Sequence, residues 1–227
     1  PALETVTTGS LEALKRYTEA LRLGETVGRE ALDREVALLE EAVKLDTGFA
    51  MAWRRLGVRL SGTGLNPVRG NEALARAYRL RDRLPPAERA LAEAGYYSYV
   101  VPDRRRMLDA YAAVLAVDSN NRIALNNTTK AQFEDGRFAE ALAGARRMLA
   151  LDSTNVSAWT WAANASWALG RDAEHDAAVA RLAALAGDDP SRAAPPRLLD
   201  LVTTGRWREA RAYHDSVAPR VPDPMAR

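Results

Sequence analysis

Cysteine is absent from this 227-residue chain, which excludes disulfides, thiolate nucleophiles and cysteine-ligated metal sites. A cysteine-free chain fits any compartment. Histidine is nearly absent too, with only His175 and His214. Neither has a further ligand at the spacing a metal site needs. No apolar run approaches the roughly 20 residues of a membrane-spanning helix, and no charged-then-apolar signal segment opens the chain. Charge of one sign is not in excess either, since 32 Lys and Arg against 30 Asp and Glu leave +2. That balance lacks the charge density of a nucleic-acid binder. The chain opens on Pro1 rather than Met, as a processed chain or a segment of something longer would. Any targeting or catalytic domain is therefore expected outside it.

What is present is ordinary for a folded chain, 47% hydrophobic and 27% charged, and it repeats. Gly136 and Gly170, Asp118 and Asp152, and Ser119 and Ser153 are each 34 residues apart. One copy runs from Arg122 through Gly136-Arg137-Phe138-Ala139-Glu140-Ala141 to Ala150-Leu151-Asp152-Ser153. The next opens at Val156, sets Trp159 against Leu125, and carries Gly170-Arg171-Asp172. Inside each copy the apolar residues recur at helical spacing.

This period, with helical patterning inside it, resembles a tetratricopeptide-repeat (TPR) array. The resemblance implies an all-α, right-handed superhelical solenoid of antiparallel helix pairs. Residues 1–9 read as a linker, 10–218 as the solenoid and 219–227 as a flexible tail. Helix pairs are expected at about 10–47, 48–85, 86–119, 120–153, 154–187 and 195–218.

In the first pair, Ser10 is a good N-cap, with Leu11, Leu14, Tyr17 and Leu21 on one face. Its second helix is expected from Glu30 to Leu45. The second pair carries Trp53 three residues before Leu56-Gly57, the motif by which TPR units are most readily recognised. A glycine there lets two helices cross closely. An insertion over Ser61 to Asn71 delays the second helix, which is expected to resume at Ala73 and stop at Pro85. The third pair holds Gly95 at the close-contact position. The fourth replaces Leu-Gly by Thr128-Thr129, and the fifth by Ala162-Ala163. After a connector with Asp188-Asp189-Pro190 and Pro195-Pro196, a last pair is built around Gly205-Arg206-Trp207. No polar solvating helix follows it, so an exposed apolar end and self-association through it are expected.

The TPR resemblance implies that the first helix of each pair lines a concave, partner-binding face. That face should present Met51, Arg54 and Val58, then Arg89, Tyr96 and Tyr99. Further along come Asn126, Asn127, Lys130 and Phe133, followed by Thr160, Trp161, Asn164 and Trp167. Asn and Lys one turn apart could hold the amides and carboxylate of a peptide, and Tyr and Trp offer rigid apolar contact area. The alternative for Tyr96, Phe133 and Trp167 is packing between neighbouring repeats. The two-Lys, two-Asn, one-Arg clamp of chaperone-binding TPR units does not carry over, because a single Lys stands on the fourth pair.

No nucleophile–base pair is visible. Ser61-Gly62-Thr63-Gly64 lacks the order of a phosphate-binding loop, and both histidines read as inward-facing core residues of second helices. No active site, metal or cofactor is expected. A narrower resemblance rests on Thr7-Thr8-Gly9-Ser10-Leu11-Glu12-Ala13-Leu14-Lys15-Arg16-Tyr17 and on Leu84-Pro85-Pro86-Ala87-Glu88-Arg89 with Tyr96-Tyr97. These segments resemble the TPR region that follows the kinase domain of bacterial serine/threonine protein kinases. A similar region follows the winged-helix domain of some transcriptional regulators. The chain itself has no kinase motif, so the resemblance implies the non-catalytic sensor or docking part of a larger bacterial signalling protein. The expected function is protein or peptide binding. The alternative is a small-molecule-sensing domain that uses the aromatic residues of the groove.

Overall fold

The computed structural model describes residues 8–24, 29–186, 198, 201–202 and 205–217. Eleven α-helices and no strand occur among the described residues. The N-terminal linker up to residue 7, the connector at 187–197 and the tail at 219–227 lie outside them, as does most of the first helix of the last pair. The chain divides into two compact units, with the boundary between Ala124 and Leu125.

The first unit contains α1 (Leu11–Leu23), α2 (Arg29–Leu45), α3 (Ala50–Gly62), α4 (Pro67–Arg79), α5 (Pro86–Tyr99) and α6 (Arg104–Val117). Helices α1 and α2, α3 and α4, and α5 and α6 pack as pairs, and α2 against α3 and α4 against α5 join each pair to the next. Ser10 caps α1, its Oγ accepting the Ala13 N–H at 3.2 Å. Around Tyr17, whose ring lies 4.9 Å from that of Phe49, the core gathers Ala13, Leu39, Leu56 and Leu60. Buried among these helices is one carboxylate, Glu35 of α2, 1% exposed. Arg55 and Arg59 of α3 donate to it at 2.7 and 2.9 Å, and Arg59 also donates to the carbonyl of Gly24 at 3.0 Å. A buried charge persists only when paired and hydrogen-bonded in this way.

The second helix of the second pair starts at Pro67, not at Ala73. Asn66 accepts the Arg69 N–H at 3.1 Å and Pro67 stands in the first turn, where its missing N–H costs nothing. At 13 residues each, α3 and α4 are no longer than α7 and α9. Helix α4 stops at Arg79, short of the expected Pro85, and a 3-10 turn at Arg81–Arg83 leads on to α5. Gly57 behaves as expected from its position. A Cβ there would lie 2.5 Å from Leu74 Cγ and 2.8 Å from the Gly70 carbonyl.

The second unit contains most of α7 (Arg122–Glu134), then α8 (Phe138–Leu151), α9 (Val156–Ala168), α10 (Asp172–Ala186) and α11 (Trp207–Val217). Its core holds Ala141, Leu142 and Ala145 of α8 against Ala162, Ala163 and Ala165 of α9, with Ala178, Val179 and Leu182 of α10. Small side chains let these helices approach closely.

The repeat is written into hydrogen bonds as well as sequence. Asp46, Asp118 and Asp152 each accept the backbone N–H two residues on, at 2.8, 3.1 and 2.9 Å. Trp53 and Trp159 each donate their indole N–H to the carbonyl six residues back, at 3.0 and 2.9 Å. Gly136, Gly170 and Gly205 all take positive φ, at 73°, 66° and 72°. Each donates to the carbonyl three residues earlier and so closes a helix end. The Arg that follows each glycine pairs with a Glu three residues on, as Arg137–Glu140, Arg171–Glu174 and Arg206–Glu209.

Candidate functional site

Seven of the ten residues expected to meet a partner fall in the second unit, on α7 and α9. On α7, Asn126, Lys130 and Phe133 stand four and three residues apart and share one helix face. On α9, Trp161, Asn164 and Trp167 do the same at steps of three. Trp161 joins the two faces. Its indole N–H donates to Asn126 Oδ1 at 3.0 Å, and its ring lies 5.9 Å from that of Phe133. Phe133 is backed in turn by Phe138 of α8, with centroids 5.2 Å apart. The result is one continuous strip, Phe138, Phe133, Trp161, Asn126, across three helices.

The polar members of this strip are largely engaged within the chain. Asn126 receives the indole, Lys130 Nζ lies 3.7 Å from Glu134, and Thr160 Oγ1 donates to the Val156 carbonyl at 2.9 Å. Asn127 is half-buried. Asn164 Oδ1 is shut off from solvent with no hydrogen-bond partner. Trp167 is 37% exposed, one turn beyond Asn164.

The other three expected residues lie in the first unit and do different work. Arg54 is only 7% exposed, and its Nη2 donates to Glu88 at 3.1 Å. Its charge is thus engaged between α3 and α5. Burial pushes the nearby Tyr17 hydroxyl up, and the Arg54 guanidinium partly opposes that shift. Tyr96 stacks on Tyr78 of the preceding pair, with centroids 4.0 Å apart and planes at 17°. This is the packing alternative. Arg81 covers the Tyr78 ring at 4.0 Å. Tyr78 and Tyr97 share a hydrogen bond at 3.2 Å, which raises the pKa of Tyr78. Tyr99 is 38% exposed. An open polar cleft of about 440 Å³, lined by Ser10, Asp46 and Arg83 among others, lies apart from all ten residues.

Of the two histidines, His175 is buried at 3%, with Nδ1 2.9 Å from the Ala163 carbonyl. The His214 side chain is 63% exposed and beside Asp215, so the inward position read from sequence is corrected. It stands one turn beyond Ala210, the buried residue of α11, toward the C-terminal end of that helix. Among the described residues no group of three or more metal-ligating side chains comes together, and no helix is long and apolar enough to cross a membrane.

Two residues are missing from the sequence reading. Glu88, the partner of Arg54, stands in the first turn of α5. Val202, 38% exposed, stands at the same place in the repeat as Phe133 and Trp167. Each of the three gives its carbonyl to a positive-φ glycine three residues on.

Helix pairs joined by short turns, with these recurring turn contacts, define the tetratricopeptide-repeat fold. Solved structures agree. A tetratricopeptide repeat protein from Parabacteroides merdae superposes with a TM-score of 0.58 at 13% identity, covering 94% of this chain and 82% of that one. PilW, a widely conserved type IV pilus biogenesis factor, gives 0.62 at 17% identity, covering 96% and 97%. No family model and no curated protein matches the sequence. At these identities the likeness is one of fold.

Proposed function

We propose that the chain is a non-catalytic scaffold that binds a protein or peptide segment across the α7–α9 face of its second unit. The observation that carries this reading is the strip Phe133–Trp161–Asn126, which leads along α9 to the exposed Trp167. Aromatic residues held rigid by neighbours, with amide groups interleaved, are what a partner segment docks against at low entropic cost. The solved structures that share this fold include a pilus biogenesis factor, which is in keeping with a role in assembly rather than chemistry. The wider context we propose is the docking region of a larger bacterial signalling protein. It is supported by the two segments, around Thr8–Tyr17 and Leu84–Arg89, that resemble kinase-associated TPR regions.

The test is affinity capture from a bacterial lysate, comparing wild type with a Lys130→Ala, Asn164→Ala, Trp167→Ala variant after matching their melting temperatures. A partner held by wild type and released by the variant supports the reading. Equal capture by both proteins moves the binding surface off this face and overturns it.

A further inference from the structure

We infer that the segment docking on this face is uncharged and apolar where it meets α9, and is not recognised through a carboxylate. The inference rests on the scaffold reading above and specifies its partner. Helix α9 is the one helix among those described that carries no charged residue. Its uncharged stretch extends from Ser153 to Gly170 and holds three of the chain's five tryptophans. Ala158, Ala162, Ala163 and Ala165 form its buried side, and Trp161 and Trp167 stand on the other with Asn164 between them. Tryptophan surface is ordinarily covered, yet Trp167 is 37% exposed.

The α7 strip beside α9 offers an anionic partner one cation, and that cation has an acidic neighbour. Lys130 faces Glu134 at 3.7 Å, and Asn126 Oδ1 holds the Trp161 indole at 3.0 Å. A carboxylate brought to α9 would lose its water and gain no cation there. An apolar segment loses little and covers the indoles. Like sides with like across this surface, so electrostatic matching selects a neutral occupant.

The probe is a phage-displayed library of random short peptides selected on the full chain. Enriched sequences are then synthesised with a free C-terminus and with a C-terminal amide. The expected result is enrichment of Phe, Leu, Ile and Trp with no net acidic bias. Amide and acid forms should bind alike, with little change between low and high salt. Trp167→Ala should weaken binding by about tenfold, whereas Trp167→Phe should retain most of it. Enrichment of acidic peptides, or loss of binding on amidation, would overturn the inference while leaving a peptide-binding scaffold in place. Failure to enrich any peptide that depends on Trp167 would overturn both.

Discussion

The guanidinium of Arg54 on α3 lies 3.1 Å from the carboxylate of Glu88 on α5, with only 9% of the arginine side chain open to solvent. One repeat thus reaches into the next through a charge pair that few waters can screen. Removing the carboxylate would leave a buried, uncompensated guanidinium, whose Nε already has no partner. Glu88→Ala is therefore expected to lower stability by about 3 kcal/mol, read as a lower urea midpoint at unchanged slope. Arg54→Met should cost less, because it removes the buried charge along with the pair. An equal loss from both substitutions would place the main cost in packing.

The close crossing of the fourth pair is made differently from that of the second. Where the second pair has Gly57, the fourth has Thr129, fully buried. The glycine stands opposite, as Gly144 on α8, where an added Cβ would collide with Thr129 Oγ1. Gly144→Ala should cost about 1–3 kcal/mol by overpacking. Combining it with Thr129→Ala should recover part of that loss, a non-additivity expected only of residues in contact. Thermal unfolding of the four proteins checks it.

Burial of Tyr111, opposed in part by a hydrogen bond with Ser98, pushes its hydroxyl up to about 12 from 10.0. The folded state thus holds the phenolic proton more tightly than the unfolded state does. The associated stability is complete below pH 10 and is lost as pH rises through 12. By linkage the two-unit shift corresponds to about 2–3 kcal/mol. Urea midpoints taken across this alkaline range should fall more steeply for wild type than for Tyr111→Phe. Parallel curves would assign the alkaline loss to other groups.

The Trp161–Asn126 hydrogen bond ties α9 to α7. In a double-mutant cycle with Trp161→Phe and Asn126→Ala, a coupling of about 1 kcal/mol is expected. Each single substitution should also alter tryptophan fluorescence. A coupling near zero would mean that the two helices are held by the alanine core alone.

Helical patterning and the 34-residue spacing of Gly136 and Gly170 made the helix pairs legible, because amphipathic periodicity and turn glycines are local properties of the chain. The start of α4 was misjudged for an equally local reason. Asn66-Pro67 is a capping signal, but it lies inside an insertion that the repeat register invites one to skip. His214 was misplaced because its position one turn beyond the buried Ala210 fixes the direction in which it leaves the helix, not whether anything covers it.

By itself the sequence determined the repeat, the turn glycines and the positions on first helices from which side chains could meet a partner. Only the tertiary structure decided which of them are already spent within the chain. Arg54 and Tyr96 stand, by register, where the fifth pair has Thr160 and Asn164, yet Arg54 is paired with Glu88 and Tyr96 is stacked on Tyr78. A position in a repeat fixes the direction in which a side chain leaves its helix. What it meets depends on residues of neighbouring helices, and those vary independently of the periodic frame that made the fold readable.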